Sequence, residues 1–403
     1  MLEILSPAGD LIRLKTAVDF GADAVYFGGR EFGMRAAPSN LTIDEIYDGC
    51  EYAHKNGVRA YLTLNTLPRN DEIARLPDFI KKTADAVDAY IVTDVGVIDL
   101  VKSIIKNPEI HISVQSGIIN YETANFYHKL GAKRIVAARE LSLSEISEIR
   151  KKTPPELEIE AFVHGAVCMS VSGRCLISNY LTDRDANRGE CSQPCRWKYA
   201  LCEETRPGEY MPIFEENGYS HILNANDMCL INHIPELHEA GITSLKIEGR
   251  AKTEYYVAAT AKAYRHAVDG YLKQGKNYKP EQWIIEEMDK ISHRIYTTGF
   301  YFGEPTQEYD FAGYIRDYEL AAVVEDYKNG YAAVSQRNKF SPGEFDILPP
   351  KGKPFIIKTD KIFDENMNEI ENAPHPKMTV KFLSPPLEKG SFIRIGTTLT
   401  NIF

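Results

Sequence analysis

The chain has 403 residues, 43% hydrophobic and 26% charged, enough for one large folded domain and a smaller one. Its net charge of −10 argues against a broad basic footprint for nucleic acid, though not against a local basic patch. The opening MLEILSPAGD lacks a basic, then apolar, leader, and no stretch nears the roughly 18 apolar residues of a membrane span. A cytoplasmic location with no membrane partner is expected.

Taken in chain order, short β-branched apolar runs alternate with amphipathic helices. The runs are Glu3–Ser6, Ala24–Phe27, Ala60–Asn65, Tyr90–Asp94, Ile110–Gln115, Arg134–Ala137, Ile159–His164 and Ser244–Glu248. Helical patterns such as Leu11–Phe20, Ile43–Lys55 and Leu143–Lys151 fill the gaps. Eight buried strands separated by helices predict an α/β chain closed into a (β/α)8 TIM-like barrel over residues 1–300. One interval breaks the rhythm. Residues 165–242, between the seventh and eighth strands, are far too many for an ordinary connection, so an insertion with its own role is expected there. After the eighth strand, Tyr255–Gln274 reads as a long helix and Glu281–Tyr296 as a second. Gly299–Gly313 has linker chemistry. From 313 to 403 the period changes to two, and Asn329-Gly330 between two strand-like runs is a hairpin signal. A small C-terminal β-barrel domain is expected.

The insertion opens on CMSVSGRCLISNYLTDRDANRGECSQPC, residues 168–195, which holds four of the seven cysteines. In a reducing compartment such clustered thiols are metal ligands or redox groups more often than disulfides. Structural zinc sites use two tight knuckles, and here only Cys191 and Cys195 are tightly spaced. The wide interval between Cys168 and Cys175 suits a larger object, so a [4Fe–4S] cluster is the favoured reading and zinc the alternative. Arg174, Arg188 and Arg196 would offset the cluster's charge. Cys229 competes with Cys195 for the fourth ligand position. Cys50 sits on a helical face and is expected to be a core thiol.

Strand-end residues of such a barrel gather at its mouth. Gln115, His164 and Glu248 are therefore candidate catalytic groups. Asn65, Arg139 and Arg250 are candidate substrate-binding groups, since arginine grips carboxylates with two parallel hydrogen bonds. Dinucleotide, phosphate-loop, H-E-x-x-H and G-x-S-x-G signatures are absent.

Three stretches, LEILSPAGDLIRLKTAVDFGADAVYFGG, FVHGAVCMSVSGRCLISNYLTDRDANRGECSQPCRWKY and IEGRAKTEYYVA, resemble the peptidase U32 family. The likeness spans the whole barrel, and the β-rich tail resembles that family's C-terminal domain. What it implies is divided. The family takes its name from collagenase-like, metal-dependent proteolysis, yet several branches resemble cluster-bearing enzymes of oxygen-independent hydroxylation. The likeness is strongest to a branch that hydroxylates tRNA. It implies 5-hydroxylation of wobble uridine 34 in the anticodon loop, prephenate as co-substrate, and a partner protein left open. In that branch Cys168, Cys175, Cys191 and Cys195 correspond to the cluster ligands. A branch acting on a ubiquinone precursor uses a later cysteine, near the place of Cys229.

Overall fold

The eight apolar runs each become a strand: β1 Glu3–Ala8, β2 Ala24–Gly28, β3 Arg59–Leu64, β4 Ala89–Val92, β5 Ile110–Ile112, β6 Arg134–Val136, β7 Glu158–Ala166 and β8 Ser244–Ile247. The source is a computed structural model describing residues 2–32, 40–168, 170, 175, 177–182, 184, 186, 190–194, 200–202, 210–212, 226–303 and 314–397. Neighbouring strands pair in parallel from β1 to β7, and β8 pairs with both β7 and β1, which closes the barrel. A helix follows each strand: α1 Leu11–Asp19, α2 Ile43–Lys55, α3 Leu76–Thr83, α4 Val95–Ile104, α5 Tyr121–Lys129, α6 Leu143–Lys151, α7 Ile234–Glu239 and α8 Glu254–Gln274.

Capping fixes where the helices begin, and so where the mouth loops end. The Asp10 carboxylate accepts from the Arg13 N–H at 2.8 Å, and Asp94 accepts from Gly96 at 2.8 Å. Thr42 with Glu45, and Ser142 with Glu145, form reciprocal capping boxes. Each satisfies backbone donors that a helix start leaves unpaired. No described helix is long and apolar enough to cross a membrane.

The lower part of the barrel interior is ionic, whereas apolar layers fill most barrels of this kind. Arg134 reaches Glu3 at 2.5 Å, Glu158 at 2.6 Å and Glu160 at 3.1 Å. Lys246 bonds the other oxygen of Glu160 at 2.6 Å. Ser244 donates to Glu3 at 2.8 Å, and so does Tyr61 at 2.6 Å. Above this layer lies a small apolar plug of Leu5, Ala24, Tyr26, Tyr61, Ala89 and Ile91. Burial opposes ionisation of Glu160, but Lys246 and Arg134 outweigh it and hold its pKa below the usual carboxylate value.

Beyond α8, helix α9 (Gln282–Asp289) is shorter than expected. Its chain turns at Lys290, and Tyr296–Thr297 pairs in parallel with Asp227–Met228 of the insertion. Tyr296 is therefore in a strand, where its ring stacks on His293 at 4.1 Å.

The tail forms β9 Tyr318–Lys328, β10 Tyr331–Gln336, β11 Gly343–Leu348, β12 Phe355–Thr359, β13 Ile362–Phe363, β14 Glu369–Ile370, β15 Thr379–Leu383 and β16 Phe392–Gly396. The Asn329-Gly330 turn has φ of 54° and 85°, the left-handed pair a tight hairpin needs. The strands make one antiparallel half-barrel in the order β12-β11-β16-β9-β10-β15-β13-β14. It docks on α8 and α9 through Arg394, which bonds Glu287, Tyr255 at 3.3 Å and Asp346 at 2.5 Å, while Lys290 bonds Asp346 at 2.6 Å. Phe392 packs against Phe20 and Tyr255.

Candidate active site

The mouth is assembled from the ends of seven strands. Arg250, just past β8, is buried and donates to the Thr63 hydroxyl at the end of β3, at 3.2 Å. Gly28 makes room for it: a Cβ there would stand 2.7 Å from the Arg250 Nη1. Next to it on the rim, the Thr93 hydroxyl lies 3.2 Å from the Asn65 carbonyl and 3.4 Å from Gln115 Oε1. Asn65, Thr93 and Gln115 thus form one polar run across β3, β4 and β5. Arg139, after β6, donates to the Ala166 carbonyl at 3.0 Å and to Glu248 at 3.4 Å. Of the expected mouth groups, the structure pairs Arg139 with Glu248, sets Gln115 and the Asn65 carbonyl against Thr93, and sets Arg250 against Thr63.

His164 is the exception. Opposite the step from Phe162 to His164, β8 advances only from Lys246 to Ile247, so the pairing register shifts and the strand bulges. The extra residue turns the His164 side chain off the barrel interior. Its ring stands 5.8, 5.7 and 5.5 Å from those of Tyr256, Tyr264 and Tyr296, and it is 1% exposed. Neither ring nitrogen has a hydrogen-bond partner. Burial, with Lys252 and His293 adding to it, pushes its pKa down to about 3, so the imidazole is neutral. It does not line the mouth. Gly165, at φ +102°, follows it where the chain crosses the Glu248 carbonyl too closely for a Cβ.

The cysteine site begins at Cys168, two residues past β7. Cys168 is solvent-exposed, yet the protein around its thiol raises the pKa. The Ser170 N–H and Arg139 pull it back down, while Cys175 and Cys191 push it up. Cys175 and Cys191 thus lie near enough to Cys168 to disfavour its thiolate. A clamp brings Cys191 in: on the short helix Ile177–Thr182, which follows Cys175, Ser178 accepts from the Ser192 N–H at 3.0 Å. The Ser192 hydroxyl lies 3.0 Å from those of Ser178 and Thr182, one helical turn apart. The Gln193 N–H donates to the Cys191 sulfur at 3.4 Å. Among the described residues no three His, Cys, Asp or Glu side chains form a ready single-ion shell. Thiols are the donor chemistry that an iron–sulfur cluster takes, and Cys168, Cys175 and Cys191 supply three. Cys195 and the arginines 174, 188 and 196 lie outside the described residues.

Cys229 belongs to a strand of the insertion, Asp227–Cys229, paired antiparallel with the end of β7 and directly opposite His164. Burial pushes its thiol up to about 12, against hydrogen bonds from the Ile231 N–H and the Tyr264 side chain. Cys50 is a core thiol, also pushed up to about 12 by burial.

Sequence reasoning missed Thr63, Thr93 and the Ser178–Thr182–Ser192 clamp at the site, and Lys246 in the ionic layer below it. Lys246 carried a usable signal: in Ser244-Leu245-Lys246-Ile247-Glu248 strict alternation puts it on the same face as Glu248.

The pattern that defines peptidase family U32 matches residues 9–310, and that of the family's C-terminal domain matches residues 307–394. A tRNA hydroxylation protein P1 of Bacillus subtilis is 38% identical over 94% of this chain and 91% of its own length. An uncharacterized protease of Methanocaldococcus jannaschii is 44% identical over 77% of this chain and 75% of its own. The 23S rRNA 5-hydroxycytidine C2501 synthase of Escherichia coli is 37% identical over 74% of this chain but 45% of its own length. A closed parallel barrel with thiols at its mouth, an antiparallel tail and these matches together place the chain in peptidase family U32.

Proposed function

We propose that this chain is an iron–sulfur component of an RNA hydroxylase, acting on uridine 34 in the tRNA anticodon loop with prephenate as co-substrate. The observation that carries the reading is Cys168 just past β7, near Cys175 and Cys191 and near Arg139, which bonds the Ala166 carbonyl and Glu248. RNA hydroxylation is also the activity in the names of the Bacillus and Escherichia relatives. Cys168, Cys175 and Cys191 would hold a [4Fe–4S] cluster, with Cys195 as the fourth ligand. The short spacing from Cys191 to Cys195 lowers the loop-closure cost and supports Cys195 over Cys229. When bound, the cluster supplies one-electron chemistry.

The chain's own residues do the rest. Arg250, braced by Thr63, offers a fixed cation for a carboxylate, and the Asn65–Thr93–Gln115 run offers hydrogen-bonding groups to a flat polar ring. A uridine can enter only when splayed from a single-stranded loop, a condition the anticodon loop meets. The archaeal relative's protease name brings no residue set: among the described residues no histidine is hydrogen-bonded to a serine or cysteine.

The test is mass spectrometry of tRNA nucleosides from a strain lacking this gene and any redundant hydroxylase. Loss of 5-hydroxyuridine derivatives at position 34, restored by the wild-type gene but not by Cys175→Ser, is expected. Unchanged wobble modification rejects the assignment.

A further inference from the structure

We propose that Arg139 is a positioning residue that ties the cysteine site to the barrel mouth, its fixed guanidinium setting the charge felt at Cys168 while Glu248 partly neutralises it. This rests on the cluster reading above. Sequence alone placed Arg139 among the substrate-binding groups. The structure instead fastens it to the protein on three sides, leaving the side chain 14% exposed. Its guanidinium carbon lies 3.9 Å from the centre of the Phe162 ring. Nη1 donates to the Ala166 carbonyl at 3.0 Å, two residues before Cys168, and Nη2 reaches Glu248 at 3.4 Å, the long end of a hydrogen bond. Nε is buried with no partner, so one donor is unspent.

Each anchor comes from β7 or the end of β8, so the cation's position relative to Cys168 is set by barrel strands and not by the insertion. A fixed cation beside a thiolate-bound redox group favours the reduced, more negative state and raises its potential. A carboxylate behind the cation does the reverse. Lysine cannot reproduce the arrangement, because a single ammonium lacks the planar fork that spans Ala166 and Glu248 while lying flat on Phe162. If Arg139 merely fastened β6 to β7 and β8, its loss would lower stability and leave the potential alone.

The experiment is an anaerobic redox titration, followed by electron paramagnetic resonance, of the full-length protein reconstituted with iron and sulfide. Wild type, Arg139→Gln, Arg139→Lys and Glu248→Gln are compared, with iron and sulfide counted in each. Arg139→Gln is expected to lower the midpoint potential and Glu248→Gln to raise it, with Arg139→Lys between wild type and Arg139→Gln. The opposite signs are what a purely structural role does not produce. Wild-type protein that binds no cluster overturns the cluster reading and this proposal with it. A wild-type cluster with unshifted potentials in Arg139→Gln and Glu248→Gln overturns the Arg139 proposal alone. Should Arg139→Gln fail to hold iron, Glu248→Gln decides: a raised potential supports the proposal and an unchanged one overturns it.

Discussion

The two ends of the barrel hold charged side chains in different ways. At the N-terminal end Arg134, Glu3, Glu158, Glu160 and Lys246 are joined by contacts of 2.5 to 3.1 Å, and every charge has an opposite partner. At the mouth the corresponding contacts are longer: Arg250 to Thr63 at 3.2 Å, Arg139 to Glu248 at 3.4 Å and Thr93 to Gln115 at 3.4 Å. Tight pairing below serves stability, because an uncompensated charge inside a barrel is costly. The longer contacts above hold side chains by hydrogen bonds to hydroxyls, carbonyls and one carboxylate, so the mouth is a polar surface and not a closed ionic layer. The junction with the tail repeats the lower pattern, with Arg394 buried among Glu287, Asp346 and Tyr255.

This contrast can be broken at several points. The largest effect is expected for Arg134→Ala, which strips Glu3 of its cation, leaves Glu160 to Lys246 alone and should cost about 3–5 kcal/mol in urea unfolding. A loss smaller than that of a mouth variant such as Thr63→Val removes the contrast. Arg394→Ala should follow at about 3 kcal/mol and loosen the tail from the barrel, read as new protease cutting between residues 290 and 320. Intact resistance to cutting would show that apolar packing around Phe392 suffices.

His164 gives a pH signature. Its folded pKa of about 3 lies below the ordinary histidine value of 6.5, so the fold favours the neutral ring. That contribution is complete above 6.5 and is lost as the pH falls from there toward 3. His164→Phe, which also removes two unpartnered nitrogens, should flatten stability across that window in thermal scans. Equal slopes for the two proteins contradict the burial. Thr63→Val should cost only about 1 kcal/mol, the net worth of one hydrogen bond. Smallest of all, Cys168→Ser should change the stability of metal-free protein by less than about 0.5 kcal/mol. The same substitution should abolish iron retention after anaerobic reconstitution, and iron bound at the wild-type level would remove Cys168 from the site.

Much of the architecture was legible in the chain. Period, capping residues and strand number point to the barrel, because parallel strands buried on both faces read as short apolar runs separated by capped helices. The Asn-Gly turn marks the hairpin for a local reason, the left-handed backbone only such residues adopt readily. The cysteine concentration, too, is visible without coordinates. Other features depend on partners far away in sequence. A single bulge at Val163, set by pairing with β8, decides that His164 faces three tyrosines and not the mouth. The register of Asp227–Cys229 against β7 sends Cys229 to Tyr264. Arg139 looks like a free cation until β7 and β8 close around it. Local chemistry names the elements and the reactive residue types, whereas the register between distant strands decides which side chains meet, since a one-residue shift reverses the face each presents.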